Sequence, residues 1–284
     1  MNPDKWSTRK RVETQYSQEI ENLMKRFYTK IKNLAITDPQ EILLLLRQYV
    51  AEEGYRKLAF SAASRMATAL FSDTAKTWKE AMKESMMGRE LYAAMRKELR
   101  GEVGTVMRSI VKENAKLIST FPLDLAQKAN SFIMRETEKG RRAESIAEDL
   151  MERFPKVSRS RIELIAITET AKANSALVEA RAQDLDLDWY EWYSSHDSRV
   201  RPSHRLMNEV LVRWSDPPDP EALNHEEKDY GNYHAGRIFR CRCTPLPILR
   251  LDQIRFPHKV HLSGRIQMMT LSQFRELSGV RLAA

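Results

Sequence analysis

"DWYEWYSSHDSRVRPSHRLMN" (Asp188–Asn208) is where the chain changes character. Its first part places Trp189, Tyr190, Trp192 and Tyr193 at strand spacing, and its second part crowds His196, Asp197, Arg199, Arg201, His204 and Arg205 into a short polar stretch. Downstream, "VLVRW" and "RIFRCRCT" are further short β-branched or aromatic runs bounded by turn residues. Pro202, Pro217, Pro218, Pro220, Pro245, Pro247 and Pro257 make the surroundings loop-rich, and "SDPPDPEALNHEEKDYGNYHAG" reads as an irregular polar connection. Residues 189–284 are therefore expected to form a small α+β module with a short antiparallel sheet of three strands and one short helix at Pro202–Met207.

Upstream the pattern is helical almost throughout. Val12, Tyr16, Ile20, Leu23, Phe27, Ile31 and Leu34 recur every three or four residues, one stripe on a first helix that Ser7 could cap. In "TDPQEILLLL", Asp38 stands at a cap position, Pro39 where a missing N–H costs nothing, and Glu41 at the capping-box position. That helix is expected to run on through "AFSAASRMATAL", whose alanines let a neighbour approach closely. Met86, Met87 and Gly88 read as a break, and Gly101 and Gly104 as weak points in the next helix. Pro122 is expected to open a helix that Gly140 ends, Pro155 to stop another, and Ser158 to cap the one carrying Ile162, Ile165, Ala166, Glu169, Ala173 and Ala176 on one face. About six helices and no strand precede residue 188. The organisation expected is a helical arm or bundle over 1–140, helices leading onward over 141–188, and the α+β module over 189–284.

With 284 residues and 42% hydrophobic content the chain can bury an ordinary core. A formal net charge of +8 favours an anionic partner, although both signs alternate along the helix faces as on solvated surfaces. No apolar run approaches the roughly 20 residues a bilayer span needs; the longest, "EILLLLRQYV", is broken by Arg47. Basic residues near the start have no apolar stretch behind them, so no secretory signal is expected. The expectation is a chain without membrane partners, made and kept in a cytoplasm or in a particle assembled there.

Cys241 and Cys243 are the only cysteines, and a bridge between them would close too small a loop to constrain the chain. On a strand their sulfurs would share a face and could hold one ion with His204 and His234, or with His196, in a set that suits zinc. The alternative is a pair of core thiols with histidines bonded to loop carbonyls. A catalytic reading would pair Asp197 with His196 or His204 beside Ser194, Ser195 or Ser203, or use the same groups in a metal-dependent nuclease or hydrolase. No G-x-S-x-G, H-E-x-x-H or P-loop motif is present, and the expectation is a protein that is not an enzyme. Arginines among aromatics can also take phosphates and stack on bases. Arg201, Arg205 and Arg240 are the candidates for DNA contact, whereas Arg199 and Arg242 are expected to pair with carboxylates inside the module.

Three segments together resemble one family. "RIELIAITETAKANSA" with Thr168 and Glu169, "HDSRVRPSHRLMNEV" and "RCRCTP" are similar, in type and order, to the phage Mu F-like, or phage head morphogenesis, family of minor capsid proteins of tailed double-stranded DNA phages. The resemblance covers roughly residues 140 to 248. It implies a protein of the virion interior, assembled in the host cytoplasm and associated with the portal protein, with scaffold or major capsid protein as further partners. In some relatives it extends to non-specific DNA binding or travel with the genome on ejection. The characteristic positions carried over are Asp197, Arg199, His204, Asn208, Cys241 and Cys243, with a role in keeping the fold, around a metal or without one. Two departures stand out: an expected Asn-Gly turn reads Asn208-Glu209, and the histidine preceding the cysteines is His234, seven residues before Cys241.

Overall fold

The computed structural model describes residues 3–32, 34, 36–83 and 98–278. The break read at Met86–Gly88 and the start of the helical stretch after it lie outside the described residues. Among the described residues five long helices precede the first strand: α1 (Lys10–Lys32), α2 (Pro39–Ala51), α3 (Glu53–Lys83), α4 (Glu102–Glu138) and α5 (Ala143–Asp184). Two compact units emerge, each discontinuous in sequence, whereas the sequence reading divided the chain linearly at 140 and 188. One holds residues 10–69 and 107–169, the other 1–9, 70–106 and 170–284.

Among its described residues the first unit has helices and connections but no strand. The α1 stripe is buried from Val12 to Ile31, while Leu34 is exposed. Asp38 caps α2 by accepting from the Gln40 N–H at 2.9 Å, with Pro39 at the first turn. The small-residue face of α3 is buried at Ala59, Ala62, Ala63 and Ala67, although α2 ends at Ala51 and does not run into it. Pro122 and Pro155, expected at helix boundaries, instead lie inside α4 and α5, so Ser158 is not a cap. Proline deprives the carbonyl four residues earlier of its N–H. For Pro122 that carbonyl is Ile118, and the Tyr55 hydroxyl donates to it at 2.8 Å, which replaces the missing bond. Gly140 follows α4 with φ +75°, as read from the sequence.

The second unit carries the sheet. Its strands are β1 (Trp189–Tyr193), β2 (Val210–Arg213), β3 (Thr244–Pro247), β4 (His258–Leu262) and β5 (Arg265–Met269), with short helices α6 (Pro202–Leu206), α7 (Pro220–Leu223) and α8 (Leu271–Ser278). The order is β3-β1-β2-β4-β5. It is mixed rather than antiparallel, since β2 runs parallel to β4, and it has five strands rather than three. The two extra strands form a hairpin turning at Ser263-Gly264, both at positive φ as a tight hairpin turn demands.

The expected strand "RIFRCRCT" is mostly turn. Cys241 N–H bonds back to Ile238 O at 3.2 Å and Arg240 takes φ +56°, so pairing starts only at Thr244. The strand is "TPLP", prolines included, because β3 is an edge. Ile248 N–H reaches Trp189 O at 3.0 Å, so by strand alternation the nitrogens of Pro245 and Pro247 face away from β1.

One sheet face packs Tyr190, Trp192, Val210, Val212 and Leu246 in a cluster with Trp78, Val178 and Ala182. The other packs Trp189, Leu211, Val260 and Met269 with Phe274 of α8. Ser7 does not cap α1; its hydroxyl meets that of Thr244 at 3.2 Å. Gly104 is required in this unit, because a Cβ there would come within 2.2 Å of Leu99 O.

Candidate functional site

Pro202 starts α6 with no side-chain cap, and the single short turn turns Ser203 and His204 inward. Asp219 caps α7 by accepting from the Ala222 N–H at 3.0 Å, and this places Glu221 in the interior with no exposed surface. Between them, the Tyr233 hydroxyl donates to the Glu221 carboxylate (2.6 and 2.8 Å), and Ser203 Oγ reaches the same group at 3.0 Å. With its proton committed to Glu221, the Tyr233 oxygen accepts from His204 Nε2 at 3.0 Å. The imidazole is therefore the Nε2–H tautomer, and Nδ1 carries a lone pair.

Nδ1 faces both thiols, Cys241 Sγ at 3.5 Å and Cys243 Sγ at 3.4 Å. The donor atoms of His204, Cys241 and Cys243 lie within 4.8 Å of one another, and all three residues are buried. The cysteines are not on a strand, but the turn before β3 brings both sulfurs to one side, and Cys243 N–H points to Cys241 Sγ at 3.4 Å. A hydrogen bond from Cys243 holds the Cys241 thiol well below its ordinary range and pushes Cys243 well above.

His234 stands outside this group. Its Nδ1 meets the Tyr190 hydroxyl at 3.1 Å, its ring packs edge-on against Trp214, and burial, then the Arg237 charge, lowers it to about 4. His196 is exposed, at φ +52°, with its ring edge-on to Tyr193 at 4.9 Å. Asp197 accepts from the Arg199 backbone N–H (2.8 Å) and lies 3.2 and 3.8 Å from the Arg199 and Arg242 guanidinium groups. His196, Asp197 and His204 thus keep separate partners. Asn208 Oδ1 accepts from Ser194 N–H at 3.0 Å, tying the end of β1 to the turn before β2. In that turn Glu209 takes φ +62°, the conformation a glycine would supply.

Arg201 donates to Phe239 O at 3.1 Å and lies over the rings of Phe239 (4.5 Å) and Tyr230 (5.6 Å). Arg205 and Arg240 are exposed, and the Arg205 guanidinium reaches Ser198 O at 3.5 Å. Thr168 is buried and Glu169 half-buried on α5, in the helical unit. The sequence reading missed Tyr233 and Glu221 as the groups behind His204, and named Ser203, which bonds Glu221, only beside the catalytic candidates. The signal for Glu221 was present: "DPE" at 219–221 repeats the Asp-Pro helix start recognised at 38–39.

Residues 127–246 match the family model described as "Phage Mu protein F like protein", a segment that includes Thr168, Glu169 and every position from Asp197 to Cys243 discussed above. The family points to phage head morphogenesis. An uncharacterized protein of Haemophilus influenzae is 26% identical over 143 residues, 50% of this chain and 29% of that relative, so the chain spans under a third of its length. No solved structure matches. Among the described residues no helix is long and apolar enough to cross a membrane.

Proposed function

We propose, from the premise that residues 127–246 are a phage Mu F-like domain, that the protein is a minor capsid component for head building, docked at the portal inside the virion. One observation supports this reading above others: the motif residues spend their polar groups on their own module. Asp197 binds Arg199 and Arg242, Asn208 binds the β1 terminus, and His204 is enclosed by Tyr233 and the two thiols. Such a module is a rigid piece for neighbours to hold rather than a reaction site. Scaffold and major capsid protein are further candidate neighbours.

Cross-linking in assembling heads tests the docking, with conjugates to the portal protein expected. Heads that assemble with the protein joined to no portal subunit overturn it. For packaged DNA, the exposed Arg205 and Arg240 support non-specific binding. Duplex binding should weaken steeply with salt, and Arg205→Ala should lower the log–log salt slope by about one, the value for a single phosphate no longer neutralised. Travel with the genome on ejection is read by recovering the protein with ejected DNA. No nicking of plasmid is expected; nicking that purifies with the protein and vanishes in His204→Ala would make it a nuclease instead.

A further inference from the structure

The docking reading asks only that the module be rigid; it does not account for two thiols, Cys241 and Cys243, converging on one nitrogen of the His204 ring. We propose that His204 Nδ1, Cys241 Sγ and Cys243 Sγ bind one zinc ion, which staples α6 to the turn before β3.

The geometry suits the ion before it arrives. Zinc–sulfur and zinc–nitrogen bonds of about 2.3 and 2.0 Å set a tetrahedral nitrogen-to-sulfur edge near ~3.5 Å. The observed separations are 3.4 and 3.5 Å. The imidazole is in the required tautomer because the chain from Nε2–H through the Tyr233 hydroxyl to Glu221 keeps the proton off Nδ1. A carboxylate behind a ligating histidine is the usual means of orienting the ring and raising its basicity. The third observation is a packed wall: the Trp192 ring meets the His204 ring edge-on at 5.5 Å and holds its orientation toward the sulfurs.

On binding, the two thiols lose their S–H protons to solvent and the neutral imidazole loses none, so the ion's charge is balanced by two thiolates. The group supplies three protein ligands, and a water completes the tetrahedron. The ligands are 37 and 39 residues apart in sequence. The ion therefore closes the irregular 214–240 connection and reduces the freedom of the unfolded chain, as a disulfide would.

The test uses the full chain, purified without chelator, then stripped and titrated with cobalt(II) as the spectroscopic probe. One zinc per chain is expected at purification. Cobalt should give the intense visible bands of a tetrahedral site and a near-ultraviolet sulfur-to-cobalt transition, with one equivalent at saturation. Cys241→Ser and Cys243→Ser should each abolish the sulfur signal, while His234→Gln keeps the stoichiometry. Tyr233→Phe, which leaves the ligands intact, should weaken zinc binding about 10- to 100-fold. If the cysteine variants fail to fold, a mercurial titration of the native protein decides the matter: zinc should leave in step with two thiols. A stripped protein that binds no cobalt, a cobalt spectrum without sulfur character, or thiols that titrate without releasing metal would overturn the proposal.

Discussion

The helical unit and the sheet-bearing unit bury side chains by different means. In the helical unit, the described buried polar or charged residues are Asn114, Glu136, Ser158 and Thr168, and the rest of its interior is an apolar stripe with tyrosine hydroxyls capping carbonyls. The sheet-bearing unit buries Glu98, Arg181, Ser203, His204, Glu221, His234 and His261, among others. An apolar stripe can lose a methylene and settle, at a graded cost. A buried polar network is satisfied as a set, and one missing member leaves the others unpaired. The two units should therefore respond differently to substitution and to pH. The chain supplies its own probe, since all five tryptophans, Trp6, Trp78, Trp189, Trp192 and Trp214, are in the sheet-bearing unit.

The largest expected effect is at Arg181. Its guanidinium makes two bonds to the Glu98 carboxylate, at 2.9 and 3.0 Å, and also bonds Thr74 and Phe71 O, with both charged side chains buried. Arg181→Met strands the Glu98 charge and should cost about 3–5 kcal/mol in urea unfolding followed by tryptophan fluorescence. Arg65→Met removes a single-bond pair with Glu19 (2.7 Å) whose arginine is half exposed, so the loss should stay at or below about 1 kcal/mol by far-ultraviolet circular dichroism. Equal losses would erase the distinction between the units.

Acid gives the next contrast. All six histidines lie between 196 and 261, in the sheet-bearing unit. Burial lowers His234 to about 4 and lowers His261 as well. Between pH 6.5 and about 4 the unfolded chain binds a proton at the His234 ring that the folded chain refuses, and His261 acts in the same sense. Stability is therefore complete above the unfolded value and falls with pH through this window, by up to about 3 kcal/mol for His234. Glu179 and Glu191, whose carboxyls burial raises, act in the opposite sense. Comparison with His234→Gln isolates the imidazole: the variant should show a flatter tryptophan-detected pH profile. An unchanged profile would mean that His234 is not held neutral by its surroundings.

This contrast also explains what the sequence revealed. The α1 stripe, the Asp38 cap, β1, β2, α6 and the Gly140 stop were legible because each is a local pattern whose period or cap lies within a few residues. His204, Cys241 and Cys243 could be named as candidate ligands by residue type, but His234 was not separable from His204, because a histidine's partners come from distant segments: Tyr190 for one, Tyr233 and the thiols for the other. The prolines misled for the same reason. Pro122 reads as a boundary until Tyr55, far away in sequence, is seen to satisfy Ile118 O. Tyr55→Phe should thus cost the helical unit about 1–2 kcal/mol. Adding Pro122→Ala, which restores the N–H of residue 122, should recover most of that loss; failure to recover would show that the hydroxyl does not substitute for the helix bond.

The smallest effect runs in the opposite direction and tests whether the sheet-bearing unit carries strain. Glu209 is exposed at φ +62°, and its N–H donates to Trp192 O at 2.8 Å, closing the turn into β2. A side chain in this left-handed region costs roughly 1–2 kcal/mol, which glycine does not incur, while glycine gives part of the gain back through the entropy of the unfolded chain. Because the Glu209 side chain is on the surface and the backbone bond survives the change, Glu209→Gly should stabilise the unit by about 1 kcal/mol, read as a higher urea midpoint of tryptophan fluorescence at unchanged slope. A neutral or destabilising result would mean that the glutamate side chain makes up for its backbone, and the strain assigned to this turn would have to be withdrawn.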